Sequence, residues 1–228
     1  MSIITTTDLH KVYTETKIPV KALNGISLSI SEAEFTAIVG PSGSGKTTLL
    51  NMLGGLDTPS SGEVHINGTN VTALPSRKLI DFRLHNIGFV FQSFNLIPVL
   101  TARENVEFIL QLQGVDKKER AQRAIELLEA VGLPDKIDNR PGDLSGGQQQ
   151  RVSVARALAS KPRFILADEP TANLDSKSTS ELLDIMMKMN EQYKTTFIFS
   201  THDSRVMERA RRIITIEDGM VAKDIVSK

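Results

Sequence analysis

The sequence predicts an α/β fold in which a largely parallel core sheet is joined by an antiparallel, strand-rich segment and an inserted helical lobe. Three observations support this fold class. The compact apolar runs at 35–39, 164–167 and 195–200 have the composition of strands buried on both faces of a parallel sheet. Alternating apolar residues near the start of the chain are typical of half-buried antiparallel strands. The stretch 93–161 is mostly helical in its apolar spacing.

The antiparallel strands come first along the chain. Residues 26–30 alternate isoleucine or leucine with serine, and 63–67 repeats the alternation. The second stretch ends at Asn67-Gly68, a pair that favours a tight turn. Between them, the apolar run 35–39 leads directly into a glycine-rich segment, so a buried strand is expected to feed a loop.

The later elements follow from spacing and stop signals. A helix is predicted over 121–131, because its apolar residues fall on one side and Gly132 then stops it. Near the end of the chain, 213–217 and 220–225 are separated by Asp218-Gly219. This spacing predicts a two-residue β-hairpin.

Length and composition are those of one globular domain. The chain has 228 residues, of which 40% are hydrophobic and 24% charged. These values exclude the disordered, collagen-like and disulfide-stapled classes. We expect one domain over 1–228, with a core subdomain at about 1–92 and 162–228 and a helical subdomain at about 93–161.

Charge and cysteine content narrow the possible partners. Lys plus Arg and Asp plus Glu both number 27, so the formal net charge is zero and nucleic acid is not expected as the main partner. Without cysteine, disulfides and thiolate metal sites are excluded. No apolar stretch reaches signal-peptide length or the roughly 20 residues that span a bilayer. Any membrane role is therefore expected to come through a partner.

The glycine-rich segment after the run 35–39 fits a phosphate-binding loop. A glycine, four further residues and Gly-Lys-Thr lie between a predicted strand and a predicted helix. The glycines let backbone N–H groups point at phosphate oxygens, and the helix that begins near Lys46 directs its positive dipole end there. Lys46 adds a point charge, and the Thr47 hydroxyl can ligate Mg²⁺; a glycine-rich turn without a ligand is the alternative. The candidate residues are Gly40, Pro41, Ser42, Gly43, Ser44, Gly45, Lys46, Thr47 and Thr48.

Polar side chains also follow the other two buried runs. Asp168 closes the first of them and can hold Mg²⁺, and Glu169 would point the other way if the strand continued, where it could polarise a water molecule. His202 follows the run 195–200 and could contact a γ-phosphate. Because ligands bind outside the carboxyl ends of the strands in open α/β sheets, all three are expected at such an edge. A solvated carboxylate pair and a surface histidine are the alternatives.

Two further features lie beside and within the predicted helical lobe. Gln92 follows the apolar residues 88–91 and is either a γ-phosphate and metal sensor or an ordinary loop amide. The segment Ser-Gly-Gly-Gln opens a helix with few side chains at its start, which favours anion binding, although an ordinary helix start is the alternative. The candidate residues of this segment are Ser145, Gly146, Gly147 and Gln148.

These motifs and their order resemble the ATP-binding-cassette (ABC) ATPases. GPSGSGKTT, Gln92, LSGGQ, ILADEP, NLD at 173–175 and His202 occur in the order of that family, over nearly the whole chain. The stretches GFVFQSFNL, LSGGQQQRV and ADEPTANLD are most similar to the LolD/MacB-type exporter group. The resemblance implies a P-loop NTPase (RecA-like) core. It also implies an ATP-binding subunit that hydrolyses ATP with Mg²⁺ and powers export or release of a lipoprotein, peptide or drug-like substrate.

The resemblance further implies an ATP-dependent, head-to-tail homodimer beside an integral membrane permease, on the cytoplasmic face of the inner membrane. Each ATP would lie between 40–48 of one copy and 145–148 of the other. The resemblance implies that Tyr13 stacks on adenine and that Thr47, Gln92 and Asp168 bind the metal. It also implies that Glu169 is the general base, that Asp175 contacts the other copy and that His202 is the switch histidine. Ala33 and Ala172 depart from the glycines common at these positions, which leaves the subfamily open.

The sequence leaves two questions open. The apolar stretch 94–100 is either a groove wall for a helix of the permease or part of the core of the helical lobe. The function is either transport, ATP-driven control of a cell-wall or division complex, or the action of a soluble ABC protein on ribosomes or DNA. One cassette, no long heptads and no basic excess argue against the last of these.

Overall fold

The computed structural model describes residues 2–14 and 18–226 and has the predicted α/β architecture. It consists of two compact units, Met1–Arg83 with Thr196–Lys228, and Leu84–Thr195. The strands are β1 Ser2–Tyr13, β2 Val20–Ser31, β3 Phe35–Val39, β4 Ser61–Ile66, β5 Thr69–Asn70, β6 Ile87–Val90, β7 Phe164–Asp168, β8 Thr196–Ser200, β9 Arg212–Glu217 and β10 Met220–Val226. The helices are α1 Lys46–Leu53, α2 Ser76–Asn86, α3 Ala102–Leu112, α4 Lys117–Ala130, α5 Gly146–Ala159, α6 Ser176–Tyr193 and α7 Ser204–Arg209, with 3₁₀ turns at Pro134–Lys136 and Pro141–Asp143.

The first unit contains an antiparallel sheet with the strand order β2-β1-β4-β5. In β2, the apolar residues of 26–30 are buried and the two serines between them are exposed. Val64 and Ile66 are fully buried in β4, and Asn67 and Gly68 both have positive φ in the turn to β5. Because one face of each strand is buried and the other is solvated, the alternation in the sequence predicts these strands correctly.

The same unit holds the strands that are buried throughout. Every residue of β3 and β8 is buried, and the two strands pair in parallel with Ala37 opposite Phe199. Strand β9 pairs in parallel with the other side of β3 and continues through Asp218-Gly219 into the antiparallel β10. Both turn residues have positive φ, as this two-residue hairpin requires. Burial on both faces explains why these runs do not alternate.

The second unit combines the parallel strands β6 and β7 with helices α3 to α6. Gly88 of β6 lies so close to α5 that a Cβ there would be 2.6 Å from the carbonyl oxygen of Ala157. Helix α4 begins at Lys117, where the Asp116 side chain caps it, and so starts earlier than the predicted 121. Helices α3, α4 and α5 pack on one another, as the apolar spacing of 93–161 indicates.

Candidate functional site

The loop 40–45 joins β3 to α1 and leaves the start of that helix uncapped. Helix α1 begins at Lys46, and its N-cap residue Gly45 has a left-handed φ of 104°. Within the described part of the chain, this N-cap makes no side-chain capping hydrogen bond, since glycine has no side chain, and the first turn contains no acidic residue. Because the first N–H groups of a helix have no acceptor within the helix, an uncapped start offers donors to an anion. The predicted order of strand, loop and helix is confirmed.

Two glycines of this loop are required by the backbone of neighbouring strands. A Cβ at Gly40 would lie 2.1 Å from the carbonyl oxygen of Ile216 in β9, and one at Gly45 would lie 2.3 Å from that of Ala22 in β2. Both glycines also have positive φ. Any side chain at either position would therefore push the loop away from the two strands that hold it.

The Lys46 side chain turns back over the loop. Its ammonium donates to the carbonyl oxygens of Gly40 and Pro41, both at 2.9 Å, and the residue is 9% exposed. These two carbonyl groups accept from two of the three N–H donors of the ammonium but do not neutralise its positive charge. The buried Ser44 hydroxyl has no hydrogen-bond partner within the described part of the chain. An uncompensated ammonium and an unpartnered hydroxyl in one loop fit a phosphate group.

Tyr13, at the end of β1, lies against helix α1. Its hydroxyl donates to Oδ2 of Asp57 at 3.0 Å and is also hydrogen-bonded to the Thr48 side chain. Partial burial raises the pKa of the Tyr13 phenol, and the Asp57 carboxylate adds to this rise. The structure therefore places the residue expected to contact adenine beside the helix that follows the phosphate loop.

His202 is the second residue after β8, and it is exposed. The amide of the preceding Thr201 donates to the carbonyl oxygen of Ile38 at 3.1 Å, near the end of β3. Because the loop 40–45 starts at that same strand end, the structure brings His202 to the edge from which the loop leaves. This is the arrangement expected from two parallel strands that end side by side.

Asp168 and Glu169 lie in the second unit, at the end of β7. Asp168 is the last residue of that strand and is partly exposed. Glu169 has a left-handed φ of 44°, so the strand does not continue through it. The expectation that strand alternation points the two carboxylates in opposite directions therefore does not apply. A left-handed residue other than glycine costs about 1–2 kcal/mol, and such strained positions cluster at functional sites.

Gln92 is exposed and follows β6, and its carbonyl oxygen accepts from the Asn173 side chain at 3.0 Å. Gln150 of α5, which no sequence motif singles out, is fully buried. Its amide nitrogen donates to the carbonyl oxygens of Phe91 at 3.2 Å and Pro170 at 2.7 Å. Gln150 thus joins the segment before Gln92 to the segment after Glu169. The signal in the sequence is a glutamine at a position where the apolar face of α5 continues.

The start of α5 is capped by its own side chains. The backbone N–H of Gln148 donates to the Ser145 hydroxyl at 3.3 Å, and the backbone N–H of Ser145 donates to the Gln148 side-chain oxygen at 2.9 Å. A Cβ at Gly147 would lie 2.9 Å from the Ser178 hydroxyl of α6, whereas one at Gly146 would meet only ordinary contacts from 3.6 Å outward. Of the two glycines, only Gly147 is required by packing within this unit.

Asp175 is the N-cap of α6. Its Oδ1 accepts from the backbone N–H groups of Lys177 and Ser178, both at 2.9 Å, and its Oδ2 accepts from the Ser178 hydroxyl at 2.6 Å. These hydrogen bonds, that of the hydroxyl first, lower the pKa of the Asp175 carboxyl. Asp175 therefore has a local structural role in addition to any contact with a second copy.

The apolar stretch 94–100 is not part of the core, because all of its residues are half-buried or exposed. Asn105 of α3, itself fully buried, holds the backbone of this stretch by accepting from Ile97 N–H and donating to the carbonyl oxygens of Ile97 and Leu100. A groove of ≈ 320 Å³ lies beside the stretch, within the second unit. Its apolar lining residues include Ile87, Phe89, Phe91, Ile97, Phe108 and Ile109.

Over residues 2–14 and 18–226, no helix is both long enough and apolar enough to cross a bilayer. The segment 23–172 matches the ABC transporter family. A protein of Thermotoga maritima described as an uncharacterized ABC transporter ATP-binding protein is 50% identical over 214 residues, which are 94% of this chain and 91% of that protein.

A second relative is longer than this chain. The macrolide export ATP-binding/permease protein MacB of Brucella melitensis is 47% identical over 221 residues, which are 97% of this chain but 34% of MacB. The chain thus spans about a third of that relative. Among solved structures, the dimeric, ADP- and phosphate-bound cassette MJ0796 matches with a TM-score of 0.91 at 42% identity, over 99% of each chain. The chain therefore belongs to the ABC transporter family, as one of its ATP-binding proteins.

Proposed function

We propose that the chain is the ATP-hydrolysing subunit of an exporter, that it works as an ATP-bridged homodimer and that it drives a membrane-spanning permease. The observation that carries the proposal is the uncapped start of α1, over which the buried Lys46 ammonium is held without a neutralising charge. The ADP- and phosphate-bound dimer of MJ0796 supports ATP as the nucleotide. The name of MacB, a macrolide export protein, supports export of a drug-like molecule, and a lipoprotein or a peptide is the alternative substrate that the sequence motifs suggest.

In the proposed site, the loop and the first turn of α1, 40–48, bind the phosphates of ATP. The Lys46 ammonium exchanges carbonyl partners for phosphate oxygens, which gain more from its charge than neutral carbonyls do. Tyr13 stacks on adenine, supported by its position against Thr48 at the same helix. His202 contacts the γ-phosphate, supported by its place at the edge from which the loop leaves.

The chemistry of the donors fits Mg²⁺. Thr47, Gln92 and Asp168 supply hydroxyl, amide and carboxylate oxygens, and Mg²⁺ prefers oxygen ligands. No three His, Asp or Glu side chains cluster as metal ligands among the residues that the structure describes. Few protein ligands, completed by phosphate oxygens and water, are the usual set for Mg²⁺ in nucleotide sites. When bound, this ion would neutralise part of the phosphate charge.

Glu169 is the proposed general base. Its carboxylate accepts a proton from the water that attacks the γ-phosphorus, and the bond between that phosphorus and the β,γ-bridging oxygen breaks to give ADP and phosphate. Glu169 is partly exposed and follows the strand end, so water can reach it.

The second copy is proposed to close the site with Ser145, Gly146, Gly147 and Gln148. No neighbour in the unit would clash with a Cβ at Gly146, so packing does not explain the glycine there. This supports the close approach of a group from outside the unit to the backbone at this position. Asp175, which starts α6 next to this segment, is proposed to contact the other copy. The MJ0796 cassette is itself described as dimeric, which supports the same assembly here.

We propose that the permease binds in the groove beside 94–100. Its apolar lining and the exposed Val99 suit a helix from a membrane protein. The chain would then sit on the cytoplasmic face of the inner membrane, where ATP is available. No feature of the described residues favours control of a cell-wall complex over transport, so transport is the function proposed.

The decisive experiment combines turnover with assembly. The Glu169→Gln variant should lose most ATP hydrolysis, because an amide cannot accept the proton, and should accumulate as a dimer in ATP, measured by light scattering. Lys46→Ala is the matched control, and its affinity for ATP should fall about 10- to 100-fold, so no dimer should form. Hydrolysis by Glu169→Gln at the parent rate would reject the base, and parental affinity in Lys46→Ala would reject the phosphate loop.

A further inference from the structure

A compact cluster of polar side chains surrounds the Tyr13 ring, and the proposed function uses only the ring. Lys11 and Tyr13 are two residues apart on β1 and so share one side of the strand. The Lys11 ammonium donates to Oδ1 of Asp57 at 2.7 Å and to the carbonyl oxygen of Thr58 at 2.8 Å. The Tyr13 hydroxyl donates to the other carboxylate oxygen of Asp57. One carboxylate thus holds both neighbours at once.

The cluster fixes both the tilt and the free face of the Tyr13 ring. The hydroxyl is held at one end by Asp57 and Thr48, and the Lys11 ammonium lies 4.8 Å from the ring centroid, over one face. A cation at this distance from a ring is attracted to it and occupies that face. A planar ligand can therefore stack only on the opposite face, and the ring does not have to be ordered when the ligand binds.

The protonation states suit this arrangement at neutral pH. Partial burial acts to raise the pKa of the Asp57 carboxyl, but hydrogen bonds from Lys11, the backbone N–H of Thr58 and the Tyr13 hydroxyl outweigh it, and the pKa lies below its ordinary value. The pKa of the Tyr13 phenol is raised, first by burial. The carboxylate therefore stays an acceptor and the phenol stays a donor.

We propose that Asp57, together with Lys11, is a positioning residue for base recognition, which holds Tyr13 so that one face of its ring is presented to the purine of the nucleotide. The inference rests on the proposed function, in which Tyr13 stacks on adenine. In this proposal, Asp57 acts on the base only through Tyr13 and Lys11 and contacts neither the base nor the phosphates itself. Its effect is confined to the part of the binding free energy that depends on the base.

The test compares ATP with inorganic tripolyphosphate, which carries phosphates but no base. For each variant of the full chain, the ratio of the two affinities measures what the base contributes. Asp57→Ala should lower this ratio about three- to tenfold, as expected for part of a base-stacking interaction, and should leave tripolyphosphate affinity unchanged. In a Tyr13→Phe background, Asp57→Ala should lower the ratio less than it does in the parent, because the contribution made through the hydroxyl is gone while that made through Lys11 remains.

Asp224 provides a matched control in the same unit. It too forms an ion pair, with Arg212, and its side chain is 38% exposed, compared with 33% for Asp57. Asp224→Ala should leave the affinity ratio at the parent value. If Asp57→Ala unfolds the chain, Asp57→Asn replaces it, since the amide keeps an oxygen for Tyr13 but loses the ion pair with Lys11.

The outcomes separate this inference from the proposed function. An unchanged ratio in Asp57→Ala, or an equal loss of affinity for both ligands, overturns the role of Asp57. If Tyr13→Ala also leaves the ratio unchanged, stacking by Tyr13 is rejected as well. With no tryptophan and two tyrosines in the chain, Tyr193→Phe leaves Tyr13 as the only phenol. In that background Asp57→Asn should lower the phenol pKa, read by ultraviolet absorbance, and an unchanged pKa would show that the contact is absent in solution.

Discussion

Helices α1 and α5 both begin beside glycine and both are proposed to bind the same nucleotide, but their first turns differ. Helix α1 follows a left-handed Gly45 and has no side-chain cap. Helix α5 is capped twice, by the Ser145 hydroxyl and by the Gln148 side chain. Donors at the start of α1 are thus left for a ligand, whereas part of the donor set at the start of α5 is already satisfied.

The difference indicates an order of binding. We expect a helix start without a cap and with a buried ammonium to bind phosphate in a single copy, since its donors and its charge gain a partner. A capped start gains less from an anion, because a ligand must share or replace bonds that already exist. We expect ATP to bind first at α1 and then to be covered by α5 of the second copy. In this order, α1 is the primary binding site for ATP, and α5 of the second copy closes over the nucleotide afterwards.

The largest effect is expected from a substitution that blocks the start of α5 and leaves α1 intact. Ser145→Arg places a long cation where the second copy would meet ATP, so ATP-driven dimerisation should be lost while each copy still binds ATP at α1. Light scattering with and without ATP measures the first property, and titration of the single copy measures the second. Dimerisation at the parental ATP concentration would show that α5 does not cover the nucleotide.

Ser145→Ala is the control for that variant. It removes the cap without adding bulk, at a cost of about 0.5–2 kcal/mol in folding free energy. Thermal unfolding should show this loss, and the dimer should still form. If Ser145→Ala abolished the dimer as completely as Ser145→Arg, the cap itself, rather than the space around it, would control assembly.

An intermediate effect distinguishes the two glycines of α5. Gly147→Ala should destabilise the fold by about 1–3 kcal/mol, since its Cβ would lie 2.9 Å from the Ser178 hydroxyl. Gly146→Ala should unfold at the parental temperature or slightly above it, because only ordinary contacts await its Cβ and alanine favours helix. Thermal unfolding followed by circular dichroism compares the pair. Equal melting temperatures would contradict the packing role of Gly147, and a normal ATP dimer in Gly146→Ala would contradict close approach at Gly146.

The smallest expected effect is a pH dependence at the start of α6. Hydrogen bonds from Ser178 hold the pKa of Asp175 below its unfolded value of about 3.9, so its contribution to stability is present above that pH and is lost as pH falls through the folded pKa. An asparagine at this position cannot titrate but still caps a helix. The Asp175→Asn variant should therefore match the parent near neutral pH and lose less stability on acidification, as measured by thermal unfolding at both pH values. An equal loss of stability in the two proteins would refute the assignment.

Local patterns in the sequence predict much of the fold. The apolar runs predict β3, β7 and β8, because strands that are buried on both faces are apolar throughout. The pair Asp218-Gly219 predicts the hairpin between β9 and β10, because these residue types tolerate the positive φ that the turn requires. The order of strand, loop and helix around 40–45 is predicted with equal success, since the motif specifies the glycines that the backbone requires there. Here each residue type follows from a local requirement.

Other features depend on residues that are distant in sequence. Asp57 follows Tyr13 by 44 positions, and Ser178, which makes Gly147 necessary, lies on another helix, so neither contact leaves a local pattern. The end of β7 before Glu169 is equally hidden, because a left-handed glutamate has no signature in sequence. The sequence also does not decide whether 94–100 is a groove wall or part of the core, because the burial of each residue cannot be read from a short apolar run.

Gln150 has a mechanical consequence. Its single amide group is buried and donates to two separate stretches of backbone, one just before Gln92 and one just after Glu169. A shift of either stretch must lengthen one of these two hydrogen bonds, of which the one to Pro170 is buried, or carry the other stretch with it. The two stretches are therefore coupled, and we expect a displacement of the loop at Gln92 to reach the backbone beside Glu169, the proposed general base.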